Sequence, residues 1–287
     1  MFDIVAVPGF SEPFSSLSHL AAALVFFVAA FYLCHKGRGN FIRLLSLLVF
    51  SVSLVFLFSM SGVYHLLDPA FLPRRVLQHL DHAGIWLLIA GTFTPIHIIL
   101  FRGAWRWAIL CIVWSIGITG LVLEMVFFDS IPEWMSLSFY LGLGWVGVLT
   151  SWQLYRQYQD KSHKYLWIGG LFYTVGAIIE GVSWPVLIPG VIGPHEIFHI
   201  FVILGAGSHW FLVYRWAHYP TKNTITFNVM ILPDRSCIAK AEGELFRIEA
   251  VSKDVLKERI QKLLSSVFNR KFDSSHICLK YQHQEYI

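Results

Sequence analysis

Between Gly193 and Trp210 runs GPHEIFHIFVILGAGSHW, which sets His195 and His199 one helical turn apart at the start of an apolar stretch. Imidazoles at i and i+4 face the same way on a helix. A histidine pair inside lipid is costly unless something binds it. His65, in SMSGVYH, and Asp81, in LDHAGIW, stand at similar edges of two other apolar stretches. Zn²⁺ favours imidazole nitrogen, and a catalytic zinc site has three protein ligands and one open position. His65, His195 and His199 are the expected Zn²⁺ ligands. Asp81 is expected beside the metal, hydrogen-bonded to a ligand histidine or to the metal-bound water. Ser61 lies one turn before His65, so its hydroxyl could polarise a substrate carbonyl or orient Asp81.

These groups need elements to carry them. The 287 residues are 56% hydrophobic and only 14% charged, against about 25% charged for an ordinary soluble domain. The chain therefore reads as an all-α integral membrane protein, a seven-transmembrane-helix bundle with a small α+β C-terminal appendage. Seven apolar stretches approach the ~20 residues that a membrane-spanning helix needs. They are Leu17–His35, Leu44–Leu66, Gly84–Phe101, Trp105–Phe128, Ser136–Tyr155, Tyr165–Leu187 and Ile197–Trp216. Counted across them, the end of the second, the start of the third and the start of the seventh share one membrane face. His65, Asp81, His195 and His199 can then converge at one depth.

Gly193 and Pro194 suit a helix start. The positive dipole end there disfavours imidazolium and leaves both histidines able to ligate. The expected roles of the other polar groups are plainer. His79 and His82 are read as solvated loop residues, and His19, His97 and His209 as packing or interfacial groups. Glu124 and Glu180 lie inside apolar spans, where protonation is the simplest reading; Glu180 could also reach a central cavity. The Trp and Tyr near span ends read as interfacial belts. Cys34, Cys111, Cys237 and Cys278 are scattered, with no metal or disulfide pattern.

Charge gives an orientation. Lys36, Arg38, Arg43, Arg102, Arg106, Arg156, Lys161, Lys164, Arg215 and Lys222 follow odd-numbered spans, whereas the other face has only Arg74 and Arg75. The positive-inside rule then puts the N-terminus outside and the C-terminus in the cytoplasm, most simply across a plasma (inner) membrane. No Lys or Arg occurs in the first sixteen residues, so the first span is expected to be retained. The net charge of +4 is modest, and no nucleic-acid partner is expected. Two domains are expected, residues 1–219 in the membrane and residues 220–287 as a soluble appendage with strand-like TITFNVMI and HICLKY around a helical VLKERIQKLLSSVF. His276 and His283 there read as surface residues.

SGVYH, LDHAGIWLLIAGTFTP and GPHEIFH resemble, in order, the three signature blocks of the hemolysin III family, the bacterial branch of the progestin and adipoQ receptor superfamily. The resemblance runs over about Ser11–His218. SEPFSSLSH is similar to the family's opening Glu…Asn…Thr-His element, with Ser15 and Ser18 in the hydroxyl and amide positions. LFYTVGAIIE follows the family too, except that Glu180 stands where an aromatic or apolar residue is usual. The tail lies outside the pattern.

The resemblance implies seven helices around Zn²⁺ on His65, His195 and His199. Asp81 and Ser61 match acidic and hydroxyl positions shared with the alkaline ceramidases, which look like distant relatives. Adiponectin receptors of the superfamily hydrolyse ceramide but have a cytoplasmic N-terminus, opposite to the charge reading; alkaline ceramidase-like proteins share the N-out arrangement. The expected function is zinc-dependent amide hydrolysis of a lipid in the membrane. The alternatives are a receptor or stress regulator with structural zinc, and a haemolysin-like pore.

Overall fold

The computed structural model describes residues 4–222, 224–268 and 276–282. His283 lies outside them. The chain divides into two compact units, one of residues 1–36 and 46–217, the other of residues 37–45 and 218–287.

The first unit is helical throughout. Its elements are α1 (Pro13–Gly37), α2 (Phe41–Leu66), α3 (Leu72–Leu100), α4 (Gly103–Phe127), α5 (Glu133–Gly144), α6 (Gly147–Tyr158), α7 (Lys164–Val182) and α8 (Pro194–Trp216). In hydrocarbon a helix satisfies its own backbone, so apolar stretches of this length have no better option. Six of the helices among the described residues are long and apolar enough to cross a membrane: α1, α2, α3, α4, α7 and α8.

The expected count of seven spans is therefore corrected. The stretch around Ser136–Tyr155 is two helices of 12 residues each, α5 and α6. They are joined at Trp145 and Val146, where Val146 and Val148 bond three residues back, to Leu143 and Trp145. Gly142, Gly144 and Gly147 cluster at this join, where glycine weakens a helix.

Two boundaries also move. The third helix begins at Leu72 rather than Gly84, with Pro73 in its first turn. His79, Asp81 and His82 are thus helical, and the reading of both histidines as loop residues is corrected. The sixth expected span stops at Val182, where Ser183 turns left-handed (φ 54°) ahead of Pro185, a residue that cannot continue a helix. Helices α7 and α8 pack closely because Gly176 has no side chain; a Cβ there would lie 2.8 Å from that of Phe201.

The second unit is a four-stranded sheet and a helix, with strands β1 (Ile225–Ile231), β2 (Cys237–Ala241), β3 (Arg247–Ala250) and β4 (Ile277–Gln282) in the order β3-β2-β1-β4. Strand β1 pairs antiparallel with β2 and parallel with β4. Helix α9 (Lys253–Phe268) buries Leu256, Ile260, Leu264 and Phe268, one apolar stripe at a spacing of four. Ile225, Phe227 and Val229 alternate inward from β1. Arg43 belongs to this unit. It is 1% exposed, and its guanidinium takes both oxygens of Glu244 at 2.8 Å. The remaining N–H groups reach the carbonyls of Gly37, Arg38 and Tyr219.

Candidate metal centre

The structure brings His65, His195 and His199 together, with one potential ligand nitrogen from each lying within 4.8 Å of the others. His65 comes from the last turn of α2, and His195 and His199 from the first two turns of α8. The ring centres are 5.0 Å (His65–His195), 4.8 Å (His65–His199) and 4.5 Å (His195–His199) apart.

Two of the imidazoles are held from behind by carboxylates. His65 Nδ1 meets Glu12 at 2.5 Å, and His195 Nδ1 meets Glu180 at 2.9 Å. With the Nδ1 protons donated to those oxygens, both Nε2 atoms present lone pairs, and these face each other at 3.3 Å. At that distance a proton shared as an N–H···N hydrogen bond, or a metal ion, can hold the two nitrogens together. A tetrahedral site with metal–nitrogen bonds of about 2.0–2.1 Å has ligand atoms ~3.3–3.4 Å apart. The His65–His195 separation matches, while the three ligand atoms together lie within 4.8 Å of one another. His199 Nδ1 is buried without a hydrogen-bond partner, a costly state for a nitrogen that coordination would relieve. The donor set therefore fits Zn²⁺, and the carboxylate–imidazole pairs are the outer partners that metal-ligating histidines normally have.

Glu12 lies just ahead of α1 and binds Arg74 as well as His65. Burial raises its carboxyl pKa, but the hydrogen bond and charge of His65, then those of Arg74, outweigh that and hold it at about 2. It is anionic at any physiological pH. Glu180 was expected to be protonated or to face the cavity. It does line the cavity, and it orients His195.

Asp81 sits on α3, near His65, His82, His195 and the Ser61 hydroxyl. Ser61 is 1% exposed. Both residues line an apolar cavity of about 190 Å³. It runs from Asp81 and His195 past Phe93 and Trp145 to Leu166 and His209.

Four residues have roles in the site that the sequence reading did not give them. Glu12, read only as part of SEPFSSLSH, meets His65 53 residues away, and Glu180, expected to reach the cavity, meets His195 15 residues away. Glu196 had a signal, since His195 to His199 spells H-E-x-x-H, in which the glutamate can serve as a base beside zinc. The structure spends it otherwise. One oxygen accepts from the Gly193 N–H and the other from Ser15, each at 2.9 Å, which caps α8 and ties it to α1. His19 was taken for a packing residue, and its ring does stack on His199 at 3.8 Å, but it also lines the cavity.

Other expected polar groups are accounted for. Glu124 accepts from Trp86 (2.7 Å), Tyr140 (2.5 Å) and His82 (3.2 Å), a set of donors suited to a carboxylate rather than to the neutral acid expected. His79 stacks on Phe128. His97 bonds Thr150 and the Trp105 carbonyl, and His209 the Leu166 carbonyl.

With this arrangement in view, a family model described as Haemolysin-III related matches residues 10–210. The chain belongs to the haemolysin III family. Hemolysin-3 of Bacillus cereus is 30% identical over 176 residues, 61% of this chain and 77% of that relative. The Hemolysin-3 homolog of Bacillus subtilis (strain 168) is 30% identical over 191 residues, 67% of this chain and 84% of the relative. The three histidines, Asp81 and Ser61 all fall within the haemolysin III region, and the β-sheet unit from β1 onward falls outside it. The membrane helices are those of a multi-pass membrane protein.

Proposed function

We propose that this chain is a membrane-embedded Zn²⁺-dependent hydrolase that cleaves the amide bond of a long-chain lipid such as a ceramide. The observation that carries the reading is the pair of carboxylate-backed imidazoles whose Nε2 atoms oppose each other at 3.3 Å, beside a cavity that also holds Asp81. His65, His195 and His199 would hold the ion. When bound there, Zn²⁺ supplies a Lewis acid for the carbonyl and lowers the pKa of water to about 7.

The chain's own residues supply the rest. Glu12 and Glu180 fix the imidazole tautomers and aim Nε2 at the centre. Asp81 takes the proton from the attacking water and can return it to the leaving amine. Ser61, which lines the cavity with it, is placed to keep the Asp81 carboxylate turned towards the site. The apolar cavity extends alongside α7 from Glu180 to Leu166, and 14 residues at 1.5 Å each give about 21 Å of lipid-like lining. That apolar lining suits a substrate that enters from hydrocarbon. On the reading that the α5–α6 pair adds a crossing to the six long helices, the charge distribution argues for a site on the outer face and a tail in the cytoplasm.

The test is release of fatty acid from a long-chain ceramide by purified protein. Asp81→Asn should lower turnover by about 10²–10⁴-fold and keep its zinc. If Asp81→Asn loses zinc as the histidine variants do, Asp81 is a fourth ligand, the site is structural, and the receptor reading replaces the enzyme.

A further inference from the structure

Glu124 and His82 form a polar cluster that the reaction above leaves unused. Glu124 lies on α4 and is 4% exposed. A buried carboxylate is expensive unless it is hydrogen-bonded, and donors from two other helices satisfy it. Trp86 Nε1 of α3 and Tyr140 Oη of α5 donate to one oxygen, at 2.7 and 2.5 Å. The other oxygen meets His82 Nδ1 at 3.2 Å. Trp86 and Tyr140 are buried, and those two bonds already tie the three helices together. His82 is different. Its side chain is 29% exposed, Phe128 lies edge-on to its ring at 4.9 Å, and it lines the cavity together with its neighbour Asp81.

With Nδ1 fixed on Glu124, Nε2 is the nitrogen left to serve a bound molecule. Amide chemistry gives such a group a task. On hydrolysis both protons of the attacking water end on the amide nitrogen, leaving a carboxylate and an ammonium. The nitrogen departs only once it carries a proton, because a bare amide anion is far too basic to leave. A histidine held by a carboxylate on the cavity wall is the kind of group that delivers one.

We infer that His82 is the general acid for the leaving amine, with Glu124 as its positioning residue. The inference rests on the hydrolase reading above and divides the proton transfers between two neighbours on α3. As the water oxygen bonds the carbonyl carbon, Asp81 takes one proton. The Nε2–H of the His82 imidazolium protonates the nitrogen as the C–N bond breaks, which gives the free amine and the carboxylic acid. Asp81 then passes its proton to His82, and the acid gives its own to the amine, so both side chains are reset. Glu124 holds Nδ1 and balances the imidazolium charge throughout.

The leaving group tests this. An alkyl amide needs a proton on its nitrogen, whereas 4-nitrophenolate leaves an ester without one. Zinc-loaded wild type in detergent should cleave both N-hexadecanoyl octadecylamine and 4-nitrophenyl hexadecanoate. His82→Gln should lose about 10²–10⁴-fold on the amide and keep its ester rate. Glu124→Gln should show the same selective loss to a smaller degree, because its amide oxygen still accepts from Nδ1. Zinc content of each variant checks that the fold survives. A second measurement needs no turnover. Diethyl pyrocarbonate acylates accessible imidazole nitrogen, and in zinc-free protein the uncleavable N-octadecyl hexadecanesulfonamide should shield His82 from it, as read by peptide mass spectrometry. If wild type cleaves neither probe, the hydrolase reading itself falls. If wild type is active but does not cleave the ester, if His82→Gln loses both rates alike or neither, or if His82 is not shielded, the inference is overturned while the hydrolase reading stands.

Discussion

The two carboxylates behind the histidines make different demands, and Glu180 gives the cleaner experiment. Glu12 also binds Arg74, so its removal disturbs more than a ligand. Glu180 has one partner through Oε1, and its Oε2 is buried without any. Loss of an outer carboxylate from a metal-ligating histidine typically weakens metal binding 10–100-fold, about 1.4–2.7 kcal/mol at 1.36 kcal/mol per decade. Glu180→Gln can still accept the His195 proton and loses only the charge, so it should fall near tenfold. Glu180→Leu loses the acceptor as well and should approach a hundredfold. Glu12→Gln acts on a different imidazole, so its factor should multiply with that of Glu180→Gln. Competition for Zn²⁺ between the apo-protein in detergent and a fluorescent chelator measures all of these. If Glu180→Leu binds Zn²⁺ within twofold of wild type, the carboxylate does not set the orientation of His195, and the argument from opposed lone pairs fails.

Other outcomes follow from the same structure. His195→Ala and His199→Ala should each abolish stoichiometric zinc in elemental analysis, since two remaining imidazoles cannot complete the site; full retention by either would exclude that residue as a ligand. Arg43→Met leaves Glu244 buried without its partner and should destabilise the β-sheet unit by about 3–5 kcal/mol, visible as earlier proteolysis of the tail. Adding Glu244→Leu should recover most of this loss, and a double variant as weak as the single one would refute the pairing argument. Reporter fusions after Ile287 should report a cytoplasmic terminus, whereas an external one would overturn the orientation drawn from charge.

The meeting of His65 with the His195–His199 pair was legible from a helical repeat and from polar groups at the ends of apolar segments, although the count of seven spans used to bring those ends to one face is corrected to six. The partners were not legible. Glu12 meets His65 53 residues away, and Ser15 meets Glu196 181 residues away, so neither leaves a local trace. The early start of α3 was hidden because Arg74, Arg75, His79, Asp81 and His82 depress hydropathy. Most of them have partners: Arg74 binds Glu12 and the Leu67 carbonyl, Arg75 binds Asp129, and His82 binds Glu124. The division of the fifth stretch into α5 and α6 hung on three glycines in six residues, a signal that apolar windows average away.

Arg43 and Glu244 are 201 residues apart, and that separation has a consequence for biogenesis. At translation rates of about 5–20 residues per second, the α1–α2 hairpin waits roughly 10–40 s for the carboxylate that neutralises its arginine. Every other helix of the bundle has left the ribosome by then. A nascent chain arrested before Glu244 therefore holds this guanidinium at the start of α2 without its carboxylate, with the Gly37 and Arg38 carbonyls as the acceptors already made.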